Sequence, residues 1–198
     1  MSSVGPVGSF EIADISLSPE MVSGFISLLK NDFSSGPDGV PPAVLKRCSG
    51  RLSDPLARIF NLSLRCGVFP GCWKRSFVVP VHKKDLRSRI ENYRPIAKIS
   101  SIPKLFEKLV FNYFYDYCGP LIGDDQHGFQ RGKSTVTNLV PFVSGIISIL
   151  ERGGQVDTIF TDISKVFDRI PFDVILLKHR AIGFSGHSLK WLRSYLFD

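Results

Sequence analysis

The run "QVDTIFTDISKVFDRI", residues 155–170, holds the choice on which the fold turns. Its first half is rich in β-branched and aromatic residues and predicts a strand. Asp162 then follows Ile159-Phe160-Thr161 directly, and Asp168 comes six residues later. A charge at the end of a buried strand is costly unless something pairs with it. Alternation puts Thr158, Phe160 and Asp162 on one face, and Ile159, Thr161 and Ile163 on the other. Strand ends are where α/β sheets gather ligand-binding groups. Two readings follow. Asp162 caps the next turn, or it offers a hard oxygen to Mg²⁺, an ion that also takes substrate phosphates into its shell.

Outward from this run the chain reads as helices with strands at separate places. Upstream, Ser134 predicts the cap of a helix with Leu139, Val143, Ile146, Ile147 and Leu150 inward, ended by Gly153-Gly154. Downstream, the tail from Asp173 predicts two short helices. Near the start, Ser18 caps a helix that opens on Pro19 and Glu20. "SSGPDGVPP" (34–42) is a turn cluster. A second helix is expected from about Ser53, with Pro55 in its first turn, to Gly67. "SFVVPVHKK" (76–84) predicts a strand, with Pro80 marking an edge or bulge. "DLRSRIENYRPI" (85–96) reads as a polar loop, and helix signals resume at Ser101 and stop at Gly119. This pattern is α+β or α/β.

The charge is uneven. Of the net +7, all is accounted for between Lys74 and Lys108, where ten Lys or Arg face three acids. Such a stretch is either a solvated basic face or the footprint of a polyanion, nucleic acid first. The four cysteines show no CxxC spacing and have no histidine at zinc-finger distance, so thiolate metal binding is not expected. They read as free thiols of a reducing compartment. The first residues lack the basic and apolar regions of a signal peptide. The most apolar stretch, Val136 to Leu150, is too short for a membrane span and contains Asn138 and Pro141.

Three tempting motifs fail. "GKST" (132–135) resembles the end of a phosphate-binding loop, but His127 stands where that loop needs glycine. "SIPK" (101–104) fits S-x-x-K without its partner motifs, and Ser101 reads as a helix cap. "GDD" (123–125) has no flanking strands and reads as loop.

The decisive run resembles the first palm motif of reverse transcriptases, in particular those of jockey and LINE-type non-LTR retrotransposons. Other stretches agree in order. "SSGPDGVPPAVLK" is similar to the family's opening fingers motif. "FPGCWKRSFVVPVHKKDLRSRIENYRPIAKISSIPKLFEKLV" is similar to the next two, with their "W-K", "P-x-x-K-K", "Y-R-P-I" and "K-x-x-E" marks. "DDQHGFQRGKSTVTNL" matches the connecting segment. The resemblance covers roughly residues 24–198.

It implies an α+β fold: the fingers of a right-hand polymerase plus the first strand and helices of the palm, truncated before the catalytic hairpin and thumb. The implied divisions are a flexible segment over 1–17, fingers and connection over 18–154, and the start of the palm over 155–198. The implied activity is metal-dependent, template-directed DNA synthesis, with RNA template, DNA primer and deoxynucleoside triphosphates as partners. Asp162 matches the catalytic, metal-holding aspartate, with two Mg²⁺ ions expected in a complete domain. Arg94 matches the arginine against the incoming nucleotide. Phe167 matches the aromatic gate beneath the sugar, and Ile163 lies beside the nucleotide. Lys83 or Lys84, with the choice between them open, faces triphosphate or template, or the two are a solvated strand end. Two carboxylates or more are needed to fix two metals, and cations to neutralise the growing phosphate charge.

Two departures stand out. Val166 occupies a position where the family has alanine, adding β-branched bulk by the expected pocket. The paired-aspartate hairpin does not occur in the 198 residues, so the chain is expected to be catalytically incomplete alone. The alternatives are a non-catalytic nucleic-acid-binding remnant and a non-functional element-derived reading frame. The expected location is the cytoplasm or nucleus, with no membrane contact.

Overall fold

A computed structural model of the chain describes residues 9–163 and 169–197. They divide into two compact units, Met1–Tyr117 with Pro171–Asp198, and Cys118–Ile170.

The first unit starts with a surprise. The segment 1–17, expected to be flexible, is tied down from residue 10 onward. Ile12, Ile15 and Leu17 are buried. Leu17 N–H donates to Asn61 Oδ1 at 2.9 Å, and Asn61 Nδ2 returns a bond to Leu17 O at 2.8 Å. The sequence signal was weak because these residues form only a short 3₁₀ turn, Ile12–Asp14.

Helix α1 (Pro19–Ser27) begins as the cap residues dictate: the Ser18 hydroxyl accepts from Met21 N–H at 3.2 Å. It buries Val22 and Ile26. Helix α2 (Pro42–Arg47) lies just beyond the turn cluster, with proline at the first helical position where no N–H is missed. Helix α3 (Ser49–Cys66) starts earlier than its proline suggests. Pro55 is inside it, not in its first turn. Pro55 is solvent-facing, so the carbonyl it leaves unpaired stays accessible to water. The end of α3 follows the sequence. Gly67 takes φ +63°, Val68 N–H reaches Ser63 O at 3.0 Å, and Gly67 N–H reaches Leu64 O at 3.1 Å. These are the two bonds of a glycine-terminated helix.

Strands β1 (Ser76–His82) and β2 (Tyr93–Ile99) form an antiparallel hairpin. The expected polar loop therefore ends at Asn92, and "YRPIAKI" is strand. Its charge and proline hid it. The hairpin is the described sheet, so both strands are edges, and Pro80 sits opposite Pro95 without a ladder bond being demanded of either. Helix α4 (Ser101–Cys118) buries Pro103, Leu105, Phe106, Leu109 and Val110. Ser101 is its first residue, and the hydroxyl points to Val40 O at 3.5 Å instead of capping. Helices α6 (Phe172–Ala181) and α7 (Gly186–Leu196) complete this unit.

Aromatic rings fill the centre. Phe60 of α3 stacks on Phe106 of α4 with centroids 4.6 Å apart, and Trp191 of α7 meets Phe106 edge-on at 5.8 Å. The indole N–H of Trp191 is satisfied by Ser63 Oγ at 3.1 Å, as a buried indole requires. The N-terminal segment closes over α7. Ile12 N–H donates to the fully buried Ser188 hydroxyl, which donates to Phe10 O at 2.9 Å. The Glu11 carboxylate accepts from the Ser185 hydroxyl at 2.6 Å and from His187 N–H at 3.1 Å, where an acid complements a helix start.

The second unit holds helix α5 (Thr135–Glu151). Its N-terminus carries a reciprocal cap: Thr137 N–H to Ser134 Oγ at 3.2 Å and Ser134 N–H to Thr137 Oγ1 at 2.8 Å. The expected inward positions are not inward. Leu139, Val143, Ile147 and Leu150 are all exposed, and Ile146 is half-exposed. Apolar residues occur all round this helix, so no one stripe defines a core face. Residues 155–163 are not a strand. Ile159 and Phe160 are 87% and 82% exposed. Their β-propensity is real, but a strand needs a partner for its backbone groups, and none lies beside them among the described residues.

Candidate nucleic-acid interface

The basic stretch becomes a projecting hairpin. Its tip is closed by side chains bonding to backbone: Asn92 Nδ2 to Leu86 O at 2.8 Å, Tyr93 OH to Arg87 O at 2.8 Å, and a His82 ring nitrogen to Asp85 O at 3.0 Å. Asp85 takes φ +60°, a conformation that aspartate tolerates better than most residues. With these polar groups absorbed in shaping the loop, Lys83, Lys84, Arg87 and Arg89 stay exposed. Lys84 lies 3.8 Å from Asp85, an exposed pair of little energetic weight.

Strand register settles which cations share a face. Val81 pairs with Arg94, Val79 with Ile96 and Phe77 with Lys98, so these six side chains share one side. Lys83 N–H bonds to Asn92 O at 2.8 Å, which continues the register by one step. Alternation then puts Lys83 on the Arg94 side and Lys84 on the other. The other face carries His82 against Tyr93, rings 5.3 Å apart. The structure therefore brings Lys83, Lys84 and Arg94 onto one hairpin.

Asp162 and Ile163 belong to the second unit. Both are exposed, in the stretch that follows α5. Phe167, the expected gate, and its neighbours Val166 and Asp168 lie outside the described residues. Among the described residues no three His, Cys, Asp or Glu side chains come together as a metal site needs. Asp162 alone does not fit a two-magnesium centre, which needs several anionic ligands. Among the described residues, no helix is long and apolar enough to cross a membrane.

One pair was not legible in the sequence, although one member, Glu107, stands in the "K-x-x-E" mark. Glu107 of α4 accepts a hydrogen bond from Tyr195 OH of α7 at 3.1 Å, beside the base of the hairpin. Burial raises the Glu107 carboxyl above its usual range, against the pull of the Tyr195 hydroxyl and the Lys104 charge. Burial, then the neighbouring Glu107 charge and hydrogen bond, push the Tyr195 phenol up to about 12.

Comparison with known proteins follows the same lines. The family described as reverse transcriptase (RNA-dependent DNA polymerase) matches residues 81–197. A probable RNA-directed DNA polymerase from transposon BS of Drosophila melanogaster is 33% identical over 168 residues, 83% of this chain and 18% of that protein. The probable RNA-directed DNA polymerase from transposon X-element of the same fly is 28% identical over 77% of the chain and 17% of that protein. The RNA-directed DNA polymerase from its mobile element jockey is 26% identical over 82% of the chain. The chain spans about a fifth of the length of these relatives.

Proposed function

Because the chain belongs to the reverse transcriptase family, we propose that it supplies the nucleotide- and template-holding part of an RNA-directed DNA polymerase from a non-LTR retrotransposon. The observation that carries this reading is the exposed basic hairpin, with Arg94 and Lys83 on one face and the loop's own polar groups already bonded. Cations held this way can neutralise phosphate charge without first breaking internal pairs. Lys83 and Arg94 are assigned to the triphosphate side, and Lys84, across the hairpin, to template backbone.

Asp162 is assigned as one carboxylate ligand of Mg²⁺, with Ile163 beside the nucleotide and Phe167 as the sugar gate. A two-metal centre needs several anionic ligands, and Asp162 offers one. These residues by themselves are therefore assigned to holding substrate and template, not to turnover. Primer extension by the purified 198-residue chain would overturn that assignment.

The direct test is retention of a short single-stranded RNA over a salt series. Each phosphate contact adds about 0.7 to the salt slope for a single strand. Replacing Lys84 by glutamine is expected to flatten the slope by about 0.7, whereas Lys83→Gln with Arg94→Gln is expected to weaken binding of a deoxynucleoside triphosphate. An unchanged slope sinks the hairpin assignment.

A further inference from the structure

A second cationic site lies at the other end of the hairpin, where three lysines of the basic stretch meet Lys30, a residue outside it. Four lysines line a cavity of about 310 Å³: Lys30 after α1, Lys98 near the end of β2, and Lys104 and Lys108 one turn apart on α4. Lys98 is four strand residues from Arg94, or roughly 13 Å along β2. The cavity is therefore separate from the hairpin tip.

The walls are built, not incidental. The loop 34–40 is held against the junction of β2 and α4. Asp38 N–H donates to Ser100 Oγ at 3.2 Å, and Asp38 Oδ1 accepts from Val40 N–H at 3.0 Å. Gly36 is pressed onto that junction so closely that an added Cβ would sit 2.5 Å from Ser100 Cα. Apolar side chains, Phe25 and Leu105 among them, line the cavity below the ammonium groups, and Lys108 lies over the Phe25 ring at 5.8 Å. Lys98 Nζ donates to Ser34 Oγ on the cavity wall.

The charge in this cavity is out of balance. Its one carboxylate, Asp32, accepts from Ser34 N–H at 3.0 Å. None of the four lysines forms a salt bridge among the described residues. Four ammonium groups against Asp32, with Glu107 close to Lys104, leave a local excess of two. An acid side chain supplies one negative charge, whereas a phosphoryl group supplies more charge and several acceptor oxygens in one compact body. Lysine is a point-charge binder suited to that group, and the volume is at the lower end of ligand sites.

We infer that this cavity is a phosphate-binding site, taking a phosphoryl group either from a nucleic-acid strand or from a free polyphosphate. It stands independently of the hairpin's role. The test is calorimetric titration of the full chain with inorganic pyrophosphate at low salt, alongside single-stranded RNA binding over a salt series. Lys98→Gln and Lys108→Gln are each expected to weaken pyrophosphate about tenfold, the loss of one charge-assisted bond. Arg58→Gln, on the exposed face of α3 and outside both the cavity and the hairpin, is expected to leave pyrophosphate binding unchanged, which separates the cavity from a general effect of lost surface charge. If the RNA salt slope also falls by about 1.4 in the Lys98→Gln, Lys108→Gln double variant, the phosphate belongs to a strand. If pyrophosphate binding responds and the RNA slope does not, the ligand is a free polyphosphate. Lys30→Gln, on an exposed loop, guards against a folding artefact at Lys98, and thermal melts of each variant check the fold. Absence of pyrophosphate binding, or binding indifferent to Lys30, Lys98 and Lys108, overturns the inference.

Discussion

Helices α3 and α5 are almost equal in length, at 18 and 17 residues, and their fates are opposite. α3 is laced with Arg51, Asp54, Arg58 and Arg65, yet it buries six residues and carries the core. α5 has one acid, at its last position, and buries none. Across the described residues of the second unit, 118–163 with 169 and 170, no residue is buried at all. Apolar content therefore does not decide burial. α3 sorts its apolar side chains onto a stripe at Leu56, Phe60 and Leu64, and α1 and α7 pack against it. α5 spreads them around its circumference, and among the described residues nothing packs on it as α1 does on α3.

The sharpest way to break this contrast is to empty the middle of the first unit. Phe106 is fully buried and touches Phe60, Phe69, Trp73 and Trp191. Phe106→Ala removes the ring and leaves a cavity, so a loss of about 3–5 kcal/mol is expected. Both tryptophans of the chain lie in this unit and contact Phe106, so their fluorescence during urea unfolding reports the unit alone. A midpoint close to the parent's would mean the stacked rings are not what stabilises the unit.

The next effect comes from the loop that walls the lysine cavity. A Cβ on Gly36 would meet Ser100 Cα at 2.5 Å and Ser100 N at 2.7 Å, both backbone atoms that cannot rotate away. Gly36→Ala should cost about 1–3 kcal/mol, the range for forcing extra volume into a packed site. Pyrophosphate affinity should fall with it, because the wall must shift. Parent-like stability and affinity would show that the loop is loose.

These two residues also show what the sequence could and could not reveal. Caps and stops were legible because their signals are local: Ser18, Gly67 and Ser134 act within a few residues of their own position. The turn cluster around Gly36 was legible as a turn, but its contact with Ser100 was not, since 64 residues separate the two. For the same reason Lys30 did not join the basic stretch until the chain folded. β2 was hidden because its signal is pairing with β1, not composition. The strand expected over 155–161 failed in the opposite sense, with composition present and no partner beside it. The hairpin cations were legible as charge, and register then decided their faces. Asp162 stood out by its flanking residues, and the structure adds to it only exposure.

A smaller effect separates the half-buried edge of the first unit from its centre. The Tyr195 phenol is pushed up to about 12, by burial and then by Glu107. An ordinary tyrosine titrates near 10. Between those values the unfolded chain has lost the phenolic proton and the folded chain still holds it. Unfolding therefore releases a proton, and stability falls as pH rises through this window. Tyr195→Phe should flatten the alkaline limb of the melting profile and leave the neutral midpoint near the parent's. An unaltered alkaline slope would assign it to other groups.

The smallest expected effect is the most direct test of the contrast itself. Leu139 of α5 is 55% exposed, whereas Leu64 of α3 is fully buried. If exposure decides, Leu139→Gln removes little burial from the folded state. Glutamine is also a helix former close to leucine in rank, so the helix itself should persist. The expected change is within about 0.5 kcal/mol, the usual range for surface positions. Far-UV circular dichroism should show unchanged helix content. The same replacement at Leu64 should cost several times more, since it puts an amide with no partner into a dry core. A loss at Leu139 comparable to that at Leu64 would mean that α5 is covered in solution, and the distinction between the two helices would then fall.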